Sequence, residues 1–269
     1  MKDIKTKIIS NEIVAPGYYK MVLEAPYITK TAIPGQFIQV RCSDSYEPLL
    51  RRPFGIHRIT NHESRITILY EVVGKGTTIL SKRRKGERLD VLGPLGNGFT
   101  LQDTRHKTQD TRILIAGGVG IAPLTFVAEA LVKKKIKPIV LIGAKTKKAI
   151  VCSDDLKKMG LKVHIATDDG TLGHKGFVTD LFRDLLPVAC GLQPVTVYSC
   201  GPKLMLKKVS EICKKEKINC QVSLEETFGC GIGACLGCSC KIKDRRNKFT
   251  YKLTCKDGPI FKGEEVIWE

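Results

Sequence analysis

The C-terminal stretch FGCGIGACLGCSCKIKD, residues 228–244, limits what this chain can fold into more than any other part of the sequence. It places four cysteines within eleven positions and separates them mostly with glycine. The segment from residue 223 onward has fewer than about 50 residues, too few to bury a hydrophobic core without a staple. The cysteines are the obvious staple, and they predict a loop that holds a ligand.

The rest of the chain suggests that these cysteines are reduced. Its start, MKDIKTKIISNEIV, lacks the apolar core and cleavage site of an export signal. No window approaches the roughly 20 apolar residues that a membrane span needs. We therefore expect a cytoplasmic protein, in which clustered cysteines indicate metal or cofactor ligation rather than disulfides.

The cysteine spacing narrows the choice of ligand. Cys230, Cys235 and Cys238 follow the pattern C-x4-C-x2-C, and Cys255 comes after sixteen intervening residues. This is the spacing of plant-type 2Fe-2S ferredoxins. A structural zinc site also uses four thiolates but usually takes two close pairs, whereas here the fourth ligand stands alone. We expect these four residues to bind a 2Fe-2S cluster, with zinc or free thiols as alternatives, and Cys240 to fall outside the ligand set.

Two different patterns precede the cysteine-rich segment. Up to about residue 101, six short β-like runs alternate with turn residues, which predicts a six-stranded antiparallel barrel or sandwich. Residues 102–222 contain apolar strands that alternate with amphipathic helices, which predicts a doubly wound parallel α/β domain. We therefore expect an α+β protein with domains at residues 1–101, 102–222 and 223–269.

The first strand of the α/β segment ends in a glycine-rich turn. In RILIAGGVGIAPL, residues 112–124, Gly118 and Gly120 leave backbone N–H groups free where a phosphate could approach. Pro123 stands where the usual fingerprint has its third glycine. The sequence therefore leaves two alternatives open, a nucleotide-binding loop and a tight strand-to-helix turn.

Two further strand ends belong to the same expected crevice. VTVYSCGP ends a strand at Cys200 and Gly201, which we expect to face Gly118–Gly120, although a buried Cys200 that acts as a small hydrophobe is the simpler alternative. ATDDG supplies Asp168 and Asp169, which could accept ribose hydroxyls or merely form a polar turn.

The β-segment offers two candidate phosphate contacts. Arg52 could form a bidentate contact with a pyrophosphate, and Pro53 would fix the backbone beside a planar ligand. Gly76 and Thr77 open a short predicted helix that could hold phosphates. Each motif alone is common on protein surfaces, but their combination is more informative.

The net charge of +18 raises the question of a polyanion partner. Residues 1–100 carry +7, residues 101–222 carry +10 and residues 223–269 only +1. The basic clusters KRRKGER, VKKKIK and CKKEK lack interleaved aromatic residues that could stack on bases. We interpret the excess as a solvated basic surface, with attraction of anionic cofactors or an acidic partner as the alternative, and expect no nucleic acid partner.

Seven motifs, in order, carry a resemblance to a known family: RRPFGI, YEVVGKGTT, LGPLGNGF, AGGVGIAPL, YSCGP, CGIGACLGC and CKDGPIF. They span nearly the whole chain, which resembles the electron-transfer subunit of type B dihydroorotate dehydrogenase, within the ferredoxin–NADP reductase superfamily. The resemblance implies an FAD-binding barrel, an NAD-binding α/β domain and a C-terminal 2Fe-2S domain.

The resemblance also assigns residues to the flavin. It implies that the pyrophosphate and the flavin edge are held by Arg52, Pro53, Phe54 and Gly55. The ring and ribitol would contact Leu69, Tyr70 and Glu71, and the phosphates would contact Gly76 and Thr77. Gly55 departs from the family, which usually has Ser or Thr there as a hydrogen-bond partner of flavin N5.

The implied function is electron transfer from dihydroorotate, through the FMN of a catalytic subunit, to the 2Fe-2S cluster, FAD and NAD in pyrimidine biosynthesis. The implied partner is that FMN-containing subunit, in a heterotetramer with two copies of each chain. Two alternatives remain at this point. One is the flavin subunit of a sulfide dehydrogenase or of a bifurcating ferredoxin–NADP reductase, and the other is a basic binding module stapled by zinc.

Overall fold

Six antiparallel strands form a closed barrel in the first 95 residues of the structure, a computed structural model that describes residues 1–101, 111–190, 194–244 and 248–268. The strand order is β1-β2-β5-β4-β3-β6, and β6 pairs with β1 to close the barrel. The strands are β1 (Lys2–Ala15), β2 (Tyr18–Glu24), β3 (Phe37–Val40), β4 (Arg52–Thr60), β5 (Arg65–Glu71) and β6 (Arg88–Leu95). Two short helices accompany them, α1 (Pro26–Thr31) and α2 (Lys75–Ser81).

Strand alternation decides which barrel side chains can reach a ligand. Successive side chains of a strand point to opposite faces of the sheet. Ile38, Phe54 and Tyr70 belong to the core inside the barrel. Phe37 and Leu69, which precede two of them, pack against other parts of the molecule. The outer face of the barrel is therefore the face that is available for cofactors and for the other segments.

A mainly parallel sheet follows, in the order β10-β9-β8-β7-β11-β12. Its strands are β7 (Thr111–Gly117), β8 (Ile139–Ala144), β9 (Lys162–Thr167), β10 (His174–Lys175), β11 (Val195–Cys200) and β12 (Asn219–Ser223). Helices α3 (Ile121–Lys133) and α4 (Ser153–Lys158) pack on one face, and α5 (Val178–Cys190) and α6 (Lys203–Lys215) pack on the other. The predicted barrel and doubly wound sheet are confirmed.

The C-terminal segment shares its core with the α/β sheet. It contains a hairpin of β13 (Ser239–Lys243) and β14 (Phe249–Leu253), followed by β15 (Ile260–Lys262). Strand β15 pairs antiparallel with β12 and becomes the seventh strand of the sheet. Ile242, Phe261 and Val266 lie in the core formed with α5 and α6. The segment therefore gains from its neighbour the apolar burial that its own length cannot supply.

Contacts between β4 and α3 hold the barrel against the sheet. Buried His57 donates from Nδ1 to the Ala122 carbonyl at 3.0 Å. Arg58 pairs with Glu129 at 3.0 Å and with Asp155 at 3.3 Å. Because these groups come from both parts, the crevice between the barrel and the strand ends is fixed by specific polar contacts as well as by packing.

Across the described ranges of the chain, every helix is too short or too polar to cross a membrane.

Candidate functional site

A cavity of about 920 Å³ opens at the carboxyl ends of the parallel strands, where ligands of open α/β sheets bind. Barrel residues close its opposite side, so the cavity lies between the two parts of the molecule. Its walls include the ends of four strands, Gly117–Gly120, Gly143–Thr146, Asp168 and Gly201–Pro202, together with Pro16, Tyr18 and Glu71 from the barrel. A volume of this size fits a dinucleotide-sized ligand.

The two predicted loop glycines, Gly118 and Gly120, have different roles. A Cβ added to Gly118 would meet no atom of the described chain within 4 Å, so this residue leaves its space to the cavity. Its φ of +54° is a left-handed conformation that glycine adopts at low cost. A Cβ on Gly120 would lie 2.3 Å from the Cys200 carbonyl oxygen. Gly118 thus fits a nucleotide-binding loop, and Gly120 fits a tight strand-to-helix turn.

Cys200 and Gly201 meet the glycine loop through their backbones. A Cβ on Gly201 would lie 2.8 Å from the Gly117 nitrogen, and Gly201 lines the cavity. The Cys200 side chain is only 2% exposed and is absent from the lining of the cavity in the described chain. Burial, and then the charge of Glu225, raise the pKa of its thiol. The structure places this thiol in the core, as the simpler alternative proposed.

The cavity wall carries both signs of charge. Lys145, Lys148 and Lys208 supply positive charge that suits phosphates, and Asp168 lies at the end of β9. Glu225 is solvent-exposed at this wall, yet desolvation by the surrounding protein raises the pKa of its carboxyl. The three lysines and Glu225 were not selected from the sequence, although Lys145 follows a strand end just as Gly118 does.

Tyr18 and Glu71 form the barrel side of the cavity. They are directly opposed in the pairing of β2 with β5. Burial raises the pKa of the Tyr18 hydroxyl, and the charge of Glu71, which accepts a hydrogen bond from it, raises this pKa further. Glu71 was a sequence candidate and Tyr18 was not, but strand pairing from the hydrophobic pattern could have identified it.

Arg52 lies directly over the start of α2. A Cβ on Gly76 would be 3.0 Å from Arg52 Cγ and 3.1 Å from its Nε. Arg52 donates to the Leu50 carbonyl at 2.8 Å, and among the ion pairs of the described chain it has no carboxylate partner. Thr77 uses its hydroxyl to donate to the Gly74 carbonyl at 3.1 Å. A guanidinium without a carboxylate partner among the described residues fits a pyrophosphate.

The remaining residues predicted to contact the flavin lie on the two opposite faces of β4 and β5. Pro53, Gly55, Leu69 and Glu71 alternate with Phe54 and Tyr70 along β4 and β5. The Phe54 and Tyr70 rings lie inside the barrel, 5.6 Å apart between centroids, and the Tyr70 hydroxyl donates to Asn11 at 3.0 Å. These two residues can offer an external ligand only their backbone, whereas Pro53, Leu69 and Glu71 can offer side chains.

Gly55 has a packing reason for lacking a side chain. A Cβ at this position would lie 3.3 Å from Cβ and 3.5 Å from Cγ and Cδ of Pro123, at the start of α3. Serine or threonine would add further atoms in the same space. The close approach of β4 to α3 therefore accounts for the departure from the hydroxyl that the resemblance leads one to expect.

The first three predicted cysteines lie in a loop whose backbone N–H groups point at sulfur. Cys230 Sγ accepts from the N–H groups of Ala234 at 3.2 Å, Cys235 at 3.3 Å and Ile232 at 3.5 Å. Burial by itself would raise the pKa of the Cys230 thiol, but these three donors outweigh it and lower the pKa to about 6. The loop is arranged to hold a thiolate.

The four cysteines associate in two pairs, in each of which the backbone of one residue contacts the sulfur of the other. Cys230 N–H donates to Cys235 Sγ at 3.4 Å, and Cys255 N–H donates to Cys238 Sγ at 3.4 Å. Within the described residues, no three His, Cys, Asp or Glu side chains surround a single metal position. Two thiolates for each of two irons fit a binuclear cluster, whereas a zinc ion needs all four sulfurs around a single position.

Cys255 and Cys240 differ in their surroundings. Burial, followed by the hydrogen bond and charge of Cys238, raises the pKa of the Cys255 thiol to about 12. Cys240 packs in the core beside Ile242, and its Sγ lies 3.5 Å from the Lys252 carbonyl oxygen. The structure thus brings Cys255 to the loop from seventeen positions away and turns Cys240 away from it.

Comparison with known proteins also indicates an iron–sulfur domain and an NAD-binding domain. Residues 225–267 match the family model "Iron-sulfur cluster binding domain of dihydroorotate dehydrogenase B", and residues 114–211 match "Oxidoreductase NAD-binding domain". A solved structure described as an NADH-dependent reduced ferredoxin-NADP oxidoreductase, from a study of flavin-based electron bifurcation, has a TM-score of 0.84 and 28% identity, covering 98% of this chain and 90% of that chain. Phthalate dioxygenase reductase, at 17% identity and a TM-score of 0.62, covers 94% and 77% and shows the fold alone.

Two curated relatives match over their full length. One is the dihydroorotate dehydrogenase B (NAD(+)) electron transfer subunit of Desulforamulus reducens, 40% identical over 100% of this chain and 99% of that protein. The other is the protein of the same name from a Geobacillus species, 37% identical over 99% of each chain. This chain therefore belongs to the family of dihydroorotate dehydrogenase B electron transfer subunits.

Proposed function

We propose that this chain passes electrons between a catalytic subunit that oxidises dihydroorotate and NAD+, in pyrimidine biosynthesis. It would hold FAD on the barrel, NAD in the cavity and a 2Fe-2S cluster on Cys230, Cys235, Cys238 and Cys255. A flavin supplies the needed chemistry, because it exchanges two electrons with a nicotinamide and single electrons with an iron–sulfur cluster. The observation that carries the proposal is the position of the barrel between the cavity and the cysteine loop.

The barrel contacts the two neighbouring sites through strands on either side of β4. On one side, Tyr18 and Glu71 line the cavity. On the other, Phe37 of β3 packs with Cys238 and Cys255. Strand β4, which carries the segment from Arg52 to Gly55, pairs directly with β3, and Phe37 lies opposite Gly55 in the register. A flavin held by β4 would therefore lie one strand away from the cluster loop and beside the cavity.

Residues of this chain would bind and orient each cofactor. Arg52, which packs against Gly76 where a Cβ would stand, would neutralise the flavin pyrophosphate. Lys145 and Lys148 would attract the nicotinamide dinucleotide phosphates, and Asp168 would accept a ribose hydroxyl. The oxidation of dihydroorotate would take place on the partner, because the candidate residues of the described chain are all used to hold cofactors.

The partner would be an FMN-containing catalytic subunit, with two copies of each chain in the complex. The names of the relatives support a catalytic partner, since each is called an electron transfer subunit. The cysteine loop offers an outward surface: Cys235 is exposed, Leu236 is 63% exposed and Ile232 is 44% exposed. The cysteines whose side chains the structure describes are free thiols, which supports a location in the reducing cytoplasm.

Anaerobic purification of the full chain tests the cofactor assignment. We expect a coloured protein with flavin released on denaturation, two irons and two acid-labile sulfides per chain, and bleaching of both chromophores by NADH. A colourless protein that contains zinc and no labile sulfide would contradict the assignment and would favour the zinc-stapled module.

The bifurcating ferredoxin–NADP reductase is the second candidate, because the structure with a TM-score of 0.84 comes from that context. A sulfide dehydrogenase flavin subunit is a related alternative. Co-purification from the native source separates them from the proposed function. A partner with FMN in a single barrel supports the dihydroorotate function, whereas a partner with additional 4Fe-4S clusters supports the alternatives.

A further inference from the structure

Gln39 in β3 carries a buried side-chain amide. Its side chain is 0% exposed, and among the described residues neither its Nε2 nor its Oε1 has a hydrogen-bond partner. Buried amides in proteins are nearly always hydrogen-bonded, because leaving one unpaired is costly. Gln221 illustrates the rule: its Nε2 donates to the Thr100 carbonyl and its Oε1 accepts from the Thr100 N–H, both at 2.9 Å.

The amide of Gln39 points at the cysteine loop. A Cβ added to Gly231, the residue after Cys230, would lie 2.6 Å from Gln39 Nε2 and 2.8 Å from its Cγ. Gly231 also has a φ of +72°. Glycine at this position therefore serves two needs, a left-handed turn and the close approach of the Gln39 amide to the loop.

Strand geometry places Gln39 on the side of β3 that faces the cluster ligands. Gln39 and Phe37 are two residues apart and so share a face of the strand. Phe37 packs with Cys238 and Cys255. In the register of β3 with β4, Gln39 lies opposite Pro53, within the segment proposed to hold the flavin. Gln39 thus lies between the proposed flavin and the cysteine loop.

We propose that Gln39 is a tuning residue, whose Nε2 N–H donates a hydrogen bond to a sulfur of the 2Fe-2S group or of its cysteine ligands. The inference rests on the iron–sulfur site proposed above. Reduction adds negative charge to such a cluster, and a donor directed at its sulfurs stabilises the more negative form. The barrel would in this way raise the reduction potential of a cluster that the C-terminal segment binds.

A redox titration followed by electron paramagnetic resonance tests the proposal on the full chain. Gln39→Met removes the amide and keeps the length of the side chain. We expect the one-electron reduction equilibrium to shift about tenfold toward the oxidised form, which corresponds to about 59 mV more negative. Gln221→Met is the matched control, because it removes a buried amide that is already satisfied, and we expect it to leave the potential unchanged. Equal potentials in Gln39→Met and the wild type would overturn the proposal.

A second measurement needs no variant. Wild-type protein labelled with ¹⁵N in its glutamine side chains is reduced, and pulsed electron paramagnetic resonance is used to detect couplings to the cluster. We expect a coupling from a glutamine nitrogen, and its absence would overturn the proposal because no glutamine amide would then lie at the cluster. Protein without any cluster signal would instead refute the iron–sulfur site itself, so the two failures are distinguishable.

Discussion

Replacing Gly118 by alanine should weaken nicotinamide dinucleotide binding as well as lower the stability of the fold. The new methyl group would enter the cavity without meeting any atom of the described chain within 4 Å. The φ of +54° would cost about 1–2 kcal/mol for a residue with a Cβ. That cost corresponds to a melting temperature about 2–8 °C lower at roughly 2–4 °C per kcal/mol. Because the methyl group also occupies ligand space, we expect a roughly tenfold weaker affinity for NAD+, or about 1.4 kcal/mol.

Gly120→Ala is the matched comparison, and its effects should fall mainly on stability. Its Cβ would lie 2.3 Å from the Cys200 carbonyl oxygen and 2.6 Å from the carbonyl carbon, both backbone atoms that cannot rotate away. Overpacking of this kind costs about 1–3 kcal/mol or more, and we expect the upper end of that range. Thermal denaturation and anaerobic calorimetric titration with NAD+ measure the two properties. Wild-type affinity in Gly118→Ala, or wild-type stability in Gly120→Ala, would refute this division of roles.

Three further predictions concern the other sites. Cys255→Ser should lose or badly weaken the cluster absorbance while Cys240→Ser keeps it, and the reverse result would contradict the ligand set. Arg52→Ala should weaken FAD retention by roughly 10–100-fold, from the loss of about 1.5–3 kcal/mol of charge-assisted contact, whereas Arg51→Ala should not, because Arg51 pairs with Asp3 at 2.9 Å. Burial lowers the pKa of His57 from 6.5 to about 4, although the hydrogen bond to the Ala122 carbonyl opposes this shift. The neutral imidazole therefore stabilises the fold above pH 6.5, and up to about 3 kcal/mol of this stability is lost as the pH falls from 6.5 toward 4. Urea denaturation across that pH range should show a flatter profile in His57→Gln, and identical profiles would count against the buried neutral imidazole.

The fold was largely predictable because both main parts have regular periodicity. Six alternating runs became the six barrel strands, and apolar strands alternating with amphipathic segments became the doubly wound sheet. Strand β15 could not be predicted, because three residues at 260–262 carry no local signal for pairing with β12, almost 40 positions earlier. Such long-range pairing depends on the packed arrangement and not on local pattern.

The candidate site was predictable where spacing or strand ends define it. The cysteine spacing identified Cys255 across a hairpin that no local rule describes, and strand ends identified Gly118, Gly201 and Asp168. Residues whose role depends on side-chain direction were harder to place. The Tyr70 side chain lies inside the barrel, although strand alternation could have shown this.

Gln39 shows the limit of sequence reasoning most clearly. A lone glutamine in the run GQFIQVRC reads as an ordinary polar residue of a barrel strand. Only the packed structure shows that neither amide atom has a hydrogen-bond partner among the described residues and that the side chain abuts the cysteine loop. Burial of an unsatisfied polar group is a tertiary property, and it is visible only when the two segments are brought together.

Dihydroorotate-dependent reduction of NAD+ is the most direct test of the proposed electron-transfer function. The purified full chain, with its cofactors, is assayed anaerobically alone and after addition of its FMN-containing catalytic partner. We expect no steady NADH formation from the chain alone and sustained NADH formation from the pair, lost again when Cys255→Ser replaces the wild-type chain. Steady oxidation of dihydroorotate by this chain without a partner would contradict its role as an electron transfer subunit.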